Sequence, residues 1–427
     1  METILQTELL KSASDITKIS QDLGTSYNKA MSDALDIFKN NGLPSKKMED
    51  WKYTNIAKNI SPRFFTNLKT EAKKIQDESL ILDARAVIVL NNGIFNQFHS
   101  TLPEGLSVDQ QVFSTSFFDT FDALNFSTAL SPLFLKVSQN SVFDYPITII
   151  HQVDENGVNK ISTPRINIKA EKFSQASFVE IFTSTQNSLF QYTTNSSTNF
   201  IIDKNAKIEH VKIQHEAAHS THIGLTKAKL SKDSRFYSMT IDLGNLVSRH
   251  NIDASLDASG SEAQINGLFS LSESEHCDVF SSINHKAAHT ESQQLFKGLL
   301  AGESHGVFTG KIIIAKDAQQ VNSHQLNKNL MLSKKAHIDT RPQLLVAADD
   351  VKCAHGATIG QLSPEEEFYL ESRGINKEKA KRMLCLGFAL DVIMKIENQI
   401  IQKLATNLTM KKFEKMDGIK NSDEMNL

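Results

Sequence analysis

Asp203-Lys204-Asn205-Ala206-Lys207-Ile208-Glu209-His210-Val211-Lys212-Ile213 is a polar turn, a small residue and then a short run that alternates polar with apolar side chains. Such alternation places successive side chains on opposite faces and reads as a β-strand. Two later stretches repeat the arrangement: Lys232-Asp233-Ser234-Arg235-Phe236 and Ser259-Gly260-Ser261-Glu262-Ala263-Gln264-Ile265. Aligned on Ala206, Ser234 and Ala263, the copies lie 28 and 29 residues apart. A period of that size is what stacked β-coils produce, each burying its inner face against its neighbours. Further strands of the same kind, Arg165-Ile166-Asn167-Ile168-Lys169 and Phe236-Tyr237-Ser238-Met239-Thr240-Ile241, extend the two-residue period over about residues 84–358. No long amphipathic helical stretch intervenes, which argues against βαβ units and leaves a sandwich, a barrel or a solenoid. The repeat favours the solenoid.

Helical patterns flank this core. Residues 1–60 space Leu9, Leu10, Ile16, Ile19 and Leu23 at helical steps, and Asn41-Gly42-Leu43-Pro44 breaks the pattern. Met48-Glu49-Asp50-Trp51-Lys52-Tyr53-Thr54 follows with the single tryptophan, expected to anchor the helical region on the β core. On the other side, Ser363-Pro364-Glu365-Glu366 reads as a capping box with proline at the first helical position, and Arg373-Gly374 as a stop. A second helix from Asn376 carries Leu384, Phe388, Val392, Ile396 and Ile400 at steps of four. Its stretch Met383-Leu384-Cys385-Leu386-Gly387-Phe388-Ala389-Leu390 is apolar nearly all round, so it is either buried in its own domain or receives a partner. The tail from Met410 onward is expected to fray. The domains are thus residues 1–83, helical; 84–360, a β core with regular coils from about 145; and 361–427, helical.

Composition limits the functional classes. The 427 residues include 46 Lys+Arg, 49 Asp+Glu, 14 His and 3 Cys, with 40% apolar side chains. Only 18 Gly and 8 Pro against 25 Phe exclude collagenous, mucin-like or disordered chains. A net charge of −3 argues against a general nucleic-acid binder. Cys277, Cys353 and Cys385 are too few for a disulfide framework and suit a reducing cytosol. The start Met1-Glu2-Thr3-Ile4-Leu5-Gln6-Thr7-Glu8 does not resemble a signal peptide, and apolar runs such as Ala86-Val87-Ile88-Val89-Leu90 are too short to span a bilayer. The expectation is a soluble cytoplasmic protein with no nucleic-acid or membrane partner.

Several motifs compete for the chemistry. His215-Glu216-Ala217-Ala218-His219 is a literal H-E-x-x-H, the pattern of a zinc metallopeptidase whose helix aims two imidazoles at the metal and a carboxylate at its water. The residues before it alternate as a strand, Ile223-Gly224-Leu225 after it prolongs no helix, and His222 stands where the longer motif needs glycine. Gly306-Val307-Phe308-Thr309-Gly310-Lys311-Ile312 is one residue short of a phosphate loop and ends in Ile312 where a hydroxyl is required. His285 and His289 read as ordinary hydrogen-bonding groups. Cys353-Ala354-His355-Gly356 is sharper. In extended chain its thiol and imidazole share a face, suit iron, zinc or an iron–sulfur cluster, and have Lys352 alongside to favour the thiolate. Two ligands do not complete a site, so other groups or another subunit must finish it. Cys277 and Cys385 read as packing residues.

Met48-Glu49-Asp50-Trp51-Lys52-Tyr53-Thr54, Thr340-Arg341-Pro342-Gln343-Leu344, the run from Ala348 to Gly360 around Cys353-Ala354-His355-Gly356, and Phe368-Tyr369-Leu370-Glu371-Ser372-Arg373-Gly374-Ile375 resemble the SufB/SufD family of iron–sulfur cluster assembly proteins. The SufB branch carries a glutamate-histidine-glutamate-like run in place of Cys-Ala-His-Gly-Ala-Thr, so the likeness is to the SufD branch. The resemblance implies a mainly β fold, a right-handed parallel β-helix core flanked by N-terminal and C-terminal helical domains. It implies a non-catalytic scaffold that pairs with SufB through the β-helix ends, forms a homodimer when isolated, and docks the ABC-type ATPase SufC through residues 361–427. Phe368, Tyr369, Arg373, Gly374, Met383, Leu384 and Phe388 fall in that docking region. Cys353 and His355 become ligands of iron or a nascent Fe–S cluster held transiently with SufB, with no permanently bound cofactor. A zinc metallopeptidase using His215, Glu216 and His219, and a β-solenoid interaction protein without a metal role, are the alternatives.

Overall fold

The computed structural model describes residues 2–19, 25–67, 73–109, 116–185, 190–416 and 419. Its centre is a parallel β-solenoid of about eight turns. Each turn contributes one strand to each of two sheets. The first sheet stacks strands that include Gln175–Ser184, Lys207–Gln214, Arg235–Asp242, Glu262–Leu271, Glu291–Leu300, Val321–Met331 and Val351–Gly360; the second stacks Thr193–Ile202, Thr221–Leu230, Val247–Leu256, His276–His285, His305–Ile314 and His337–Val346. Inward-facing Ile149, Phe178, Phe200, Ile208, Phe236, Ile265, Phe296 and Phe308 pack between the sheets into one core.

The corners explain the sequence repeat. Phe173, Asn205, Asp233, Gly260, His289 and Gln320 occupy equivalent turns with φ between 57° and 76°. Each precedes a buried small or β-branched residue, Ser174, Ala206, Ser234, Ser261, Thr290 and Val321. A left-handed residue reverses the chain direction and the small one lets the next turn stack on it. Asn and Asp tolerate this backbone well, whereas Phe173 holds it with a bulky, half-exposed ring. The strand register pairs Arg235 with Glu262, which sets Ser261, rather than Ala263, opposite Ser234. The repeat is therefore two residues shorter there than the sequence alignment suggests; the link from Asp242 to Val247 is shorter than the one from Gln214 to Thr221, while the corner before Glu262 is slightly longer than the one before Arg235.

Helices cover both outer faces. Helices α1 (Glu2–Ile19), α2 (Thr25–Asn41) and α3 (Thr120–Thr128) lie over the second sheet. Leu9 and Ile16 are buried there, and Leu23 lies outside the described residues. Trp51 anchors this layer: it is buried against Phe121, with the Arg249 guanidinium 4.6 Å from its ring centroid. Helices α4 (Pro364–Ser372), α5 (Lys377–Ile393) and α6 (Gln399–Lys415) follow the last strand. Helices α5 and α6 run back over the first sheet, where Cys385, Ala389, Val392, Ile401 and Phe413 pack on Val211, Ile213, Met239 and Leu268. The Ser363 and Asn376 side chains cap α4 and α5, and Gly374 ends the first segment at φ 84°.

Two helical expectations need correction. The helix from Asn376 does not continue to Ile396 and Ile400, since Asn398 caps a new helix by accepting from the Ile400 and Ile401 N–H groups. The chain from Met410 is also not frayed as far as it is described, because α6 persists to Lys415 and Phe413, Met416 and Ile419 are buried; residues 420–427 lie outside the described ones.

Candidate functional site

Cys353 and His355 lie on the last strand, Val351–Gly360, and continue two inward-facing ladders. Ser323 pairs with Cys353 and Gln325 with His355. In the turns beneath, Ser292, Ser323, Gln294 and Gln325 are buried: His285 Nε2 lies 2.9 Å from Ser292 Oγ, itself 2.6 Å from Ser323 Oγ, and the Gln325 amide donates to the Gln294 carbonyl oxygen at 3.3 Å. Among the described residues, no further turn stacks on the last one. Cys353 is consequently half-buried, against Ile312, Ile314, Val321 and Ala348, while His355 is exposed. Partial burial raises the Cys353 thiol above its ordinary pKa, against a lowering by a backbone hydrogen bond with Ser323. Lys352 projects from the opposite, exposed face of the strand, so the thiolate-favouring neighbour expected from sequence is not supplied by that residue.

Cys353 and His355 belong to no group of three or more clustered metal-type donors among the described residues. Among the described residues, the group of three or more His, Cys, Asp or Glu donors close enough to share an ion is His305, His337 and Asp339, on the other sheet. Cys277 is buried with its Sγ 3.3 Å from Asp242, and burial, with the nearby Asp242 charge, raises its thiol well above the ordinary range. Cys385 is a buried residue of α5, packed toward the first sheet, with its pKa pushed up to about 12, mainly by burial. All three cysteines are free thiols.

The C-terminal helices divide the other named positions into two sets. Helix α4 has no buried residue. Phe368 is 72% and Tyr369 58% exposed, Arg373 lies over the Tyr369 ring, and Gly374 is exposed beside them. Met383 is also exposed, and Leu384 joins Tyr369 and Leu370 in lining a shallow cleft. Phe388 does not belong to this surface. Its ring packs on the α5–sheet core under the Lys297 ammonium, 4.3 Å from the centroid, and its carbonyl accepts from the same ammonium.

The rival motifs dissolve in the fold. His215, Glu216 and His219 occupy the irregular link between strands Lys207–Gln214 and Thr221–Leu230, where no helix brings the histidines together. Glu216 instead accepts a hydrogen bond from Thr194 and lies 2.7 Å from His222 Nδ1, so its carboxylate is committed to the interior. Gly306–Ile312 lies within a strand, with Lys311 bonded to Asp50 at 2.7 Å.

Sequence reading missed a buried polar interior. Glu180 accepts from Thr198 at 2.8 Å and lies 2.7 Å from His151 and 2.9 Å from His210. Burial raises its pKa, but the two imidazoles outweigh it and hold the carboxyl well below the ordinary range. Lys212, 2.8 Å from His222, is pushed down to about 8 by burial, against the attraction of Glu180, Asp242 and Glu216. The available signal was weak: His210 and Lys212 share the parity of the inward Ile208 in one strand, which only the turn register makes meaningful.

The chain matches the family model of the SUF system FeS cluster assembly SufBD core domain over residues 151–388 and that of the SufBD protein N-terminal region over residues 7–123. Its relatives include the iron–sulfur cluster assembly protein SufD of Escherichia coli, 29% identical with 86% of this chain and 89% of the relative covered. A SufBD family protein of Synechocystis is 27% identical over 85% of this chain and 86% of its own, and the chloroplastic protein ABCI7 of Arabidopsis thaliana is 29% identical over 74% and 68%. No helix among the described residues is long and apolar enough to cross a membrane. With a parallel β-solenoid core between helical ends and the core family model matched along it, the chain belongs to the SufBD family and has a role in iron–sulfur cluster assembly.

Proposed function

We propose that this chain is a non-catalytic scaffold subunit in the cytoplasm that pairs with SufB through the open end of its solenoid and lends Cys353 and His355 to a cluster site shared between the two. The observation that carries the reading is the last turn itself, where two soft-to-borderline donors stand on the inward face at an end that no further turn covers. A partner solenoid stacked there would supply the missing ligands and exclude water from the nascent cluster. The raised pKa of Cys353 fits such a role, because a thiol stays protonated and unreactive until iron displaces the proton.

Helix α4 supports a second contact. A helix with no buried residue and with Phe368 and Tyr369 turned to solvent loses apolar exposure only by docking another protein, and SufC is the partner we propose. ATP-driven movement of SufC then shifts the shared site between covered and accessible forms through different contacts in the two states.

Anaerobic reconstitution with SufB and SufC tests the ligand assignment. Cys353→Ala combined with His355→Ala is expected to leave the complex assembled while iron and sulfide retained fall several-fold. Equal cluster yield from an intact variant complex would remove Cys353 and His355 from the site.

A further inference from the structure

On the outer face of the second sheet three histidines stand in register. His276 pairs with His305 and His305 with His337, with ring centroids 4.8 and 5.1 Å apart. Asp339, two residues beyond His337, shares its face of the strand. One oxygen, Asp339 Oδ2, lies 2.8 Å from His305 Nε2 and 3.3 Å from His337 Nε2, and the three donor atoms fall within 4.8 Å of one another. Ligands held at about 2.1 Å from one ion are about 3.0 Å apart at a right angle and about 3.4 Å apart in a tetrahedron. The 3.3 Å separation from His337 to the carboxylate falls in that range, and the 2.8 Å separation from His305, a hydrogen-bond distance, lies just below it.

The surroundings orient the donors. His276 packs edge-on against the His305 ring and is fixed from behind by the Thr54 hydroxyl, 2.9 Å from its Nε2, while Thr54 donates to Asp278. On the same face the Arg341 guanidinium is engaged by the Glu49 carboxylate and backbone carbonyl, and the Arg249 guanidinium by Asp278. His305 and Asp339 are partly buried and His337 is exposed, so a hydrated ion reaches the donors directly.

We infer that His305, His337 and Asp339 bind one divalent first-row transition ion. Two imidazoles and a carboxylate suit zinc(II) or iron(II), whereas calcium and magnesium require an oxygen cage and copper(I) prefers sulfur. Three donors on one side leave further positions to water. The site is separate from Cys353 and His355, which lie on the inner face of the other sheet.

The test uses the full-length chain carrying Cys353→Ala and His355→Ala, so that the other donors are absent, titrated anaerobically with zinc(II) alone and iron(II) alone. Calorimetry and metal analysis after desalting are expected to give one ion per chain for at least one metal. Adding His337→Ala or, separately, Asp339→Asn should weaken binding by about tenfold or more, as even outer-shell losses cost that much at metal sites. Unchanged melting curves by circular dichroism, expected because His337 is exposed, keep the comparison valid; a variant that misfolds is replaced by the other. Binding of neither metal, or affinity unaltered by both substitutions, overturns the site.

Discussion

Glu180 carries more of the interior than any pattern in its own segment indicates. Its carboxylate takes hydrogen bonds from Thr198, His151 and His210 away from water, and removing it strands those partners. Glu180→Ala is expected to lower stability by roughly 3–5 kcal/mol and Glu180→Gln by less, measured as urea midpoints. The folded carboxyl has a lower pKa than the unfolded one, so its contribution is complete above the unfolded value, about 4.3, and disappears as pH falls through the folded value. Acid destabilisation below about pH 4 should therefore be steeper in the wild type than in Glu180→Gln. Cys353 and His355 were legible because their side chains are chemically unusual and spaced by two. The buried His210 and Lys212 were not, since alternation separates two faces without saying which is inside, and here helices make both faces apolar.

Among the elements, the join between α5 and α6 shows where periodicity misleads. Apolar steps of four run from Leu384 to Ile400, yet the Asn398 side chain and the Glu209 carboxylate start a fresh helix in their midst. Glu209 reaches across from the strand Lys207–Gln214 to accept from the Glu397 N–H at 2.6 Å and the Asn398 N–H at 3.2 Å. A carboxylate at a helix N-terminus satisfies orphan donors and opposes the helix dipole. Glu209→Ala should cost about 1 kcal/mol and speed amide exchange at Glu397 and Asn398 while leaving Ile208 protected, read by hydrogen exchange. Asn is a residue type that favours caps, yet the apolar period runs past Asn398 unbroken, and the partner 189 residues earlier leaves no mark in the local pattern. The repeating strands were legible because the corner residues punctuate them chemically, whereas the short helix Thr120–Thr128 within the same region was not; the two-residue slip at Ser261 arose because the lengths of the links between strands vary while strand register does not.

For the molecule as a whole, the two ends of the solenoid differ. The first is closed by short antiparallel strands, Ile94–Phe95 and Leu106–Val108, whereas the last exposes Leu345, Val346 and Ile359 on unpaired edges. Leu345→Lys with Ile359→Lys should change the stability of the isolated chain by no more than about 0.5 kcal/mol per site, yet weaken pairing with SufB, as followed by size-exclusion chromatography with light scattering. The helical layers have a different effect. Along one outer face Glu49 is tied to Arg341, Asp50 to Lys311 and Thr54 to His276; along the other, Met416 and Ile419 share a cluster with Ile75 and Leu80, and Lys412 bonds Glu275. A stack held only by neighbouring coils can unravel one rung at a time from its ends. Here the chain's own two flanks are lashed lengthwise across several rungs, so those coils cannot peel away without loosening fastenings on distant ones, and they are expected to melt together.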